Sequence, residues 1–250
     1  MNISINADDF GWDNSCTDAI MYCLENGYVQ TTTIMPTGES FDYAISLVKD
    51  TSFFDKIGIH LNLTEGRPLT EWMQNNKLFC DSDGFFHNSF NRYKPLSNKD
   101  KGIVYEELKN QIEMCKKKGL KIHHLDSHHH SHTAPFITPI VRELMKEYRI
   151  EKMRIHRNMG LISPTKKTIK NMYNRIIRKN AYSDYFGSFK DFFSDNQVTE
   201  YKGFIEIMCH PDYSVQGELI DRVGDSYSDP VGDNLKAIVN RMDRVRYFSE

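Results

Sequence analysis

The chain has 250 residues, 39% of them hydrophobic and 26% charged, with a formal net charge of −2. This is an ordinary soluble, globular composition, long enough to bury a full core without disulfides and close to the usual length of one α/β barrel domain. A near-neutral charge points away from a polyanionic partner, so no nucleic acid is expected to bind.

No apolar run approaches the ~18 residues that a membrane helix needs, so no membrane partner is expected. The opening Met-Asn-Ile-Ser-Ile reads as a strand rather than a leader peptide, which makes the cytoplasm the expected compartment. The five cysteines include no CxxC pair and are odd in number, which argues against a disulfide framework or a thiolate zinc cluster.

In chain order, Ile3 to Ala7 is a short strand ending at Asp8-Asp9-Phe10-Gly11. Ser15 is the expected cap of a helix with Ala19, Ile20, Cys23 and Leu24 on one face, and Gly27 ends it. Val29 to Met35 reads as a strand, Phe41 to Val48 as a helix and Ile57 to Leu63 as a third strand. Residues 64–101 are polar and form a long excursion. Tyr105 to Lys118 is an amphipathic helix with Leu108, Ile112 and Cys115 on one side. The pattern continues as strand (Leu120 to Asp126), helix (Thr138 to Tyr148) and strand (Lys152 to His156). Residues 164–197 read as a basic helix followed by a lid. Phe204 to Cys209 is a last strong strand, followed by a loop from Ser214 to Pro230 and a final helix from Asn234 to Val245. Strands alternating with helices imply βα units, hence an α/β fold with a mostly parallel sheet, closed as a barrel or distorted barrel in one domain over residues 1–250.

Four segments carry the chemistry. Asp8-Asp9, His60, the run 123–132 and His210 all fall at the C-terminal ends of predicted strands, which converge on one face in a parallel α/β fold. Adjacent strand residues point to opposite faces, so one aspartate is expected to hold a metal while the other acts as a base. The run 123–132 holds six histidines in ten residues. It cannot supply six ligands; some of these rings must orient ligands, bind substrate or cap backbone groups. Imidazole with carboxylate suits a divalent ion. His210 is placed to protonate a leaving amine near neutral pH.

Together the stretches Asn6-Ala-Asp-Asp-Phe-Gly11, Gly58-Ile-His-Leu-Asn-Leu-Thr64 with Glu65-Gly66-Arg67-Pro68, His124-Leu-Asp-Ser-His-His-His130 and Glu206-Ile-Met-Cys-His-Pro211 resemble the YdjC/ChbG family of carbohydrate deacetylases. The resemblance spans roughly residues 2 to 215. It implies a distorted (βα) barrel of the glycoside hydrolase/deacetylase type. It also implies one divalent metal ion, magnesium by the resemblance although two imidazoles and one carboxylate suit zinc, and hydrolysis of N-acetyl groups on small carbohydrates such as acetylated chitooligosaccharides. Carried across, the ligands are Asp9, His60 and His128, the general base is Asp8 and the general acid is His210. Arg154, His130 and Asp126 are expected to meet substrate, with Arg154 alternatively holding Asp8. Asp212 stands where the family usually has glycine. A homodimer is the default assembly.

Overall fold

A computed structural model describes residues 2–195, 198–222 and 244–245. The sheet is built from parallel strands β1 (Asn2–Phe10), β2 (Thr31–Ile34), β3 (Ile57–Leu61), β4 (His124–Ser127), β5 (Lys152–Met153), β6 (Tyr185–Ser188) and β7 (Phe204–Cys209), in the order β5-β4-β3-β2-β1-β7-β6. It curls into a half-barrel. A parallel bridge between Met153 and Ala181, and a bond from Asn158 N to the Phe186 carbonyl, span the gap between its two edges. The α/β, mostly parallel barrel expected from the pattern is present in this open form.

The strands sort their residues by period 2. Ile3, Ile5 and Ala7 join the hydrophobic core, while the intervening Ser4, Asn6 and Asp8 are buried and polar. Ile59 and Leu61 flank His60, and Ile205 and Ile207 flank Glu206, in the same way. One side of the sheet therefore packs on helices, and the concave side is filled by a polar network.

The helices are α1 (Asn14–Glu25), α2 (Phe41–Val48), the short α3 (Glu71–Gln74), α4 (Asn98–Lys117), α5 (Thr138–Tyr148), α6 (Pro164–Ile177) and α7 (Phe189–Ser194). The cap of α1 is Asp13, which accepts from Cys16 N, rather than Ser15. Ser15 instead hydrogen-bonds Asp212 at 2.5 Å. The long excursion carries α3, and α4 starts seven residues earlier than its apolar pattern predicts because Ser97 caps it. The expected lid after α6 is in fact β6 and α7, an integral edge of the sheet. Beyond His210, β8 (Pro211–Tyr213) and β9 (Leu219–Asp221) form an antiparallel hairpin, so the expected loop contains β9, and its residues 223–230 lie outside the described residues. Of the expected final helix, residues 234–243 lie outside the described residues, and Arg244–Val245 form a strand, β10, parallel to the start of β1. The five cysteines are buried and free, and no helix among the described residues is long and apolar enough to cross a membrane.

Candidate functional site

The site begins with an irregularity in β1. Ala7 pairs with Thr32 and Phe10 with Ile34, so β1 carries one extra residue against β2. Asp9 takes up that residue with φ 69, a left-handed conformation that aspartate tolerates better than most side chains. Simple alternation would send Asp8 and Asp9 to opposite faces of the sheet. The bulge brings both carboxyls to the C-terminal rim, in adjoining compartments.

Asp9 is fully buried, and its Oδ1 lies 3.0 Å from His60 Nε2 and 2.9 Å from His128 Nδ1. The donor atoms of these three residues lie within 4.8 Å of one another. Each imidazole is held at its other nitrogen by a further carboxyl. His60 Nδ1 meets Asp126 Oδ1 at 2.7 Å, and His128 Nε2 meets Glu65 Oε2 at 3.0 Å. Trp12 stacks on His128 at 5.5 Å between ring centroids, and Arg222 reaches Asp9 Oδ2 at 2.8 Å.

Burial alone would lower the pKa of His60, but Asp126 and then Asp9 outweigh it and hold it at about 10. Burial likewise opposes protonation of His128, and Asp9 and Glu65 more than compensate, so its pKa is raised. Burial favours the neutral acid at Asp9, but His128 and His60 hold its pKa well below the usual carboxylate range. The donor set fits a divalent ion on a separate ground. His60 Nε2 is buried and makes no hydrogen bond, although Asp9 Oδ1 is only 3.0 Å away. A polar atom so enclosed is normally satisfied, and an ion between the two groups would satisfy it. The carboxyls behind the two rings are the usual supports of metal-binding histidines.

Beside this cluster, Arg154 is 1% exposed and occupied on every side. It holds Asp8 through two bonds of 2.5 and 2.7 Å, Asp126 Oδ2 at 2.7 Å and Glu206 Oε1 at 2.7 Å, with Phe186 against its plane. The expectation that Arg154 and Asp126 bind substrate is therefore corrected. Neither has surface to offer, and Arg154 takes the alternative task of holding Asp8. Asp8 would be raised by burial, but Arg154 outweighs that and keeps it ionised far below its ordinary range. Glu206 is pushed up to about 7 by burial, against the pull of Arg154. His130 is half-buried, has φ 55 and packs edge-on to Phe186; its Nδ1 is buried without a hydrogen bond.

His210 Nε2 faces Asp8 Oδ2 at 3.8 Å, while Nδ1 lies 3.3 Å from Asp221 Oδ1. That same oxygen accepts from His210 N, so the hairpin fixes the ring from behind. Burial lowers the pKa of His210, but Asp221 and Asp8 outweigh it and raise it.

Of the six clustered histidines, only His128 joins Asp9 and His60. His132 bonds Ser127 Oγ and the Arg154 carbonyl, so it braces β4 against β5, and His124 is buried beneath the rim. Four contributors were not foreseen as such: Glu65, Glu206, Asp221 and Arg222. Glu65 and Glu206 lie inside the quoted stretches; Asp221 and Arg222 carry no local signal.

A parallel α/β half-barrel thus gathers a His–His–Asp cluster and an Asp–His pair on its C-terminal rim. The chain belongs to the YdjC-like family, whose model matches residues 2–238. It is 34% identical over 231 residues to a carbohydrate deacetylase of Vibrio parahaemolyticus, covering 86% of this chain and 80% of that one. It is 29% identical over 258 aligned positions to a carbohydrate deacetylase of Clostridium beijerinckii, covering 100% and 96%. Proteins of that name hydrolyse carbon–nitrogen bonds. A crystal structure from Enterococcus faecalis, described as a candidate cellobiose-phosphate cleavage protein, matches with a TM-score of 0.72 at 21% identity over 99% of this chain and 97% of its own. That likeness bears on the fold alone.

Proposed function

We propose that this chain is a metal-dependent carbohydrate deacetylase that removes N-acetyl groups from amino sugars or short oligosaccharides such as acetylated chitooligosaccharides. The observation that carries the reading is the convergence of the Asp9, His60 and His128 donor atoms, within 4.8 Å of one another, beside an Asp8–His210 pair. Family membership and the names of the relatives support the substrate class.

A bound magnesium or zinc ion, held by Asp9, His60 and His128, would acidify water and polarise the acetyl carbonyl. Asp8 is the base. Arg154 keeps it ionised and fixed in direction, at the expense of basicity, so it accepts a proton only from water that is already acidified. His210, kept protonated by Asp221 and Asp8, donates to the sugar nitrogen as the amide C–N bond breaks. The water oxygen goes to acetate, and the amine leaves neutral. His130 is the one assigned substrate contact that keeps some exposure, and we assign it to the sugar or its acetyl group.

The test is acetate release from N,N′-diacetylchitobiose by protein loaded with magnesium or zinc. Absence of acetate, together with hydrolysis of a phosphomonoester by the same preparation, would replace this reading with a phosphoesterase.

A further inference from the structure

At the mouth of the site, Glu65, His128 and His129 form another group whose donor atoms lie within 4.8 Å of one another. His128 presents its two ring nitrogens to different neighbours. Nδ1 lies 2.9 Å from Asp9 Oδ1, and Nε2 lies 3.0 Å from Glu65 Oε2. His129 is brought alongside by a left-handed backbone, φ 49, which a histidine adopts at some cost. Its ring centroid is 4.1 Å from that of His128, and its Nδ1 lies 3.0 Å from Thr64 Oγ1. Arg92 donates to its carbonyl oxygen, which holds the strained turn in place. The Glu65 side chain is 50% exposed and His129 is exposed, whereas Asp9 and His60 are fully enclosed. An ion can therefore reach this group from solvent without entering the deeper cluster.

We propose that Glu65, His128 Nε2 and His129 form a second, solvent-facing cation site, selective for a transition ion of the zinc class over magnesium. Two imidazoles and one carboxylate are a zinc-type donor set, whereas magnesium favours oxygen ligands and keeps its waters. The proposal goes beyond the deacetylase reading and rests on it only through the shared His128. With both sites filled, the shared ring gives its remaining N–H proton to solvent. The ion at the mouth, held mostly by exposed side chains, is the weaker of the two, and the like charge behind it weakens it further. Its position blocks the entrance and draws on a ligand of the deeper ion, so excess zinc inhibits the loaded protein.

The test uses the metal-stripped full chain, titrated calorimetrically with ZnCl₂ and separately with MgCl₂, with metal content measured after gel filtration. Wild type is expected to bind two zinc ions, the second at least about tenfold more weakly, and no more than one magnesium ion. His129→Asn removes the imidazole while asparagine accommodates the left-handed backbone. It is expected to bind a single zinc at the wild-type tight affinity and to escape inhibition by excess zinc. His60→Ala, which leaves the mouth untouched, is expected to lose the tight site and to bind one zinc at the mouth, no more weakly than wild type binds its second. One zinc at saturation in wild type, or two in His129→Asn, would overturn the proposal. Both are counted without turnover, so a failed deacetylase assay leaves this test standing.

Discussion

Metal uptake by this site is expected to expel protons, and His60 sets the scale. In the metal-free protein His60 stays doubly protonated up to about pH 10, with Nδ1 donating to Asp126 and Nε2 facing Asp9. An ion bound at Nε2 has to displace that proton. At pH 7 the competition spans roughly three pH units. That weakens apparent affinity by about 10³-fold, or about 4 kcal/mol, relative to the fully deprotonated site. Affinity should therefore rise close to tenfold per pH unit between 7 and 9, more steeply where His128, also raised, still holds its proton. Stability of the metal-free fold runs the other way. A histidine whose folded pKa is raised stabilises the fold fully below its unfolded value of about 6.5, and that contribution is lost as pH climbs through about 10. Calorimetry in buffers of different ionisation enthalpy counts the protons directly. Release of about one proton or more per ion at pH 8 is expected, and release near zero would mean that the ion does not bind His60 Nε2.

Three further outcomes follow from the same geometry. Asp8→Asn should retain metal and lose about 10²–10⁴-fold in kcat, the usual worth of a general base, whereas Asp9→Asn should lose the metal itself; elemental analysis beside acetate release separates them. Asp221→Asn removes the strongest support for protonated His210, so the alkaline limb of the kcat–pH profile should move to lower pH, and an unmoved limb would place the general acid elsewhere. Arg154→Met strands Asp8, Asp126 and Glu206 without their shared cation, which should cost about 3–5 kcal/mol in urea unfolding; Glu206→Gln should cost less, since burial raises Glu206 to about 7, so it already carries a proton part of the time near neutral pH.

Much of this architecture was legible in the chain. The bounds of α2, α5 and β7 match the sequence pattern to the residue, because each is a strongly periodic or apolar run between clear breakers. The parallel order placed Asp8, Asp9, His60, Asp126, His128 and His210 on one rim without knowledge of any contact. What was hidden is of a different kind. β6 is four residues long and lies between a basic helix and an aromatic stretch, so its identity comes from pairing with β7 and not from its own composition. The bulge that reorients Asp9 is a matter of register between β1 and β2, which neither strand shows alone. In sequence Arg154 reads as a substrate contact or a partner for Asp8; only the concave face of the sheet adds Asp126 and Glu206 as further carboxyls around it. Asp221 and Arg222 reach the site because a hairpin folds back from His210, a return that carries no periodic signal.

The polar filling of the half-barrel explains how the proposed site could exist both with and without an ion. Asp8, Asp9, Asp126 and Glu206 are all buried within one connected network, and among the described residues Arg154 and Arg222 bring guanidinium groups to it. That many buried carboxyls would repel one another and distort the rim unless further positive charge entered. In the metal-free protein the protons on His60 and His128 supply it, which is why both pKa values are raised against the pull of burial. On the proposed reading, a divalent ion would replace those two protons with the same total charge, between the same side chains. Metal entry would then demand little rearrangement of the carboxyls, and the scaffold around Asp8 and His210 would stand with or without the ion. On this view Arg154 is fixed in number and position because it neutralises the part of the network that the exchangeable charges do not reach.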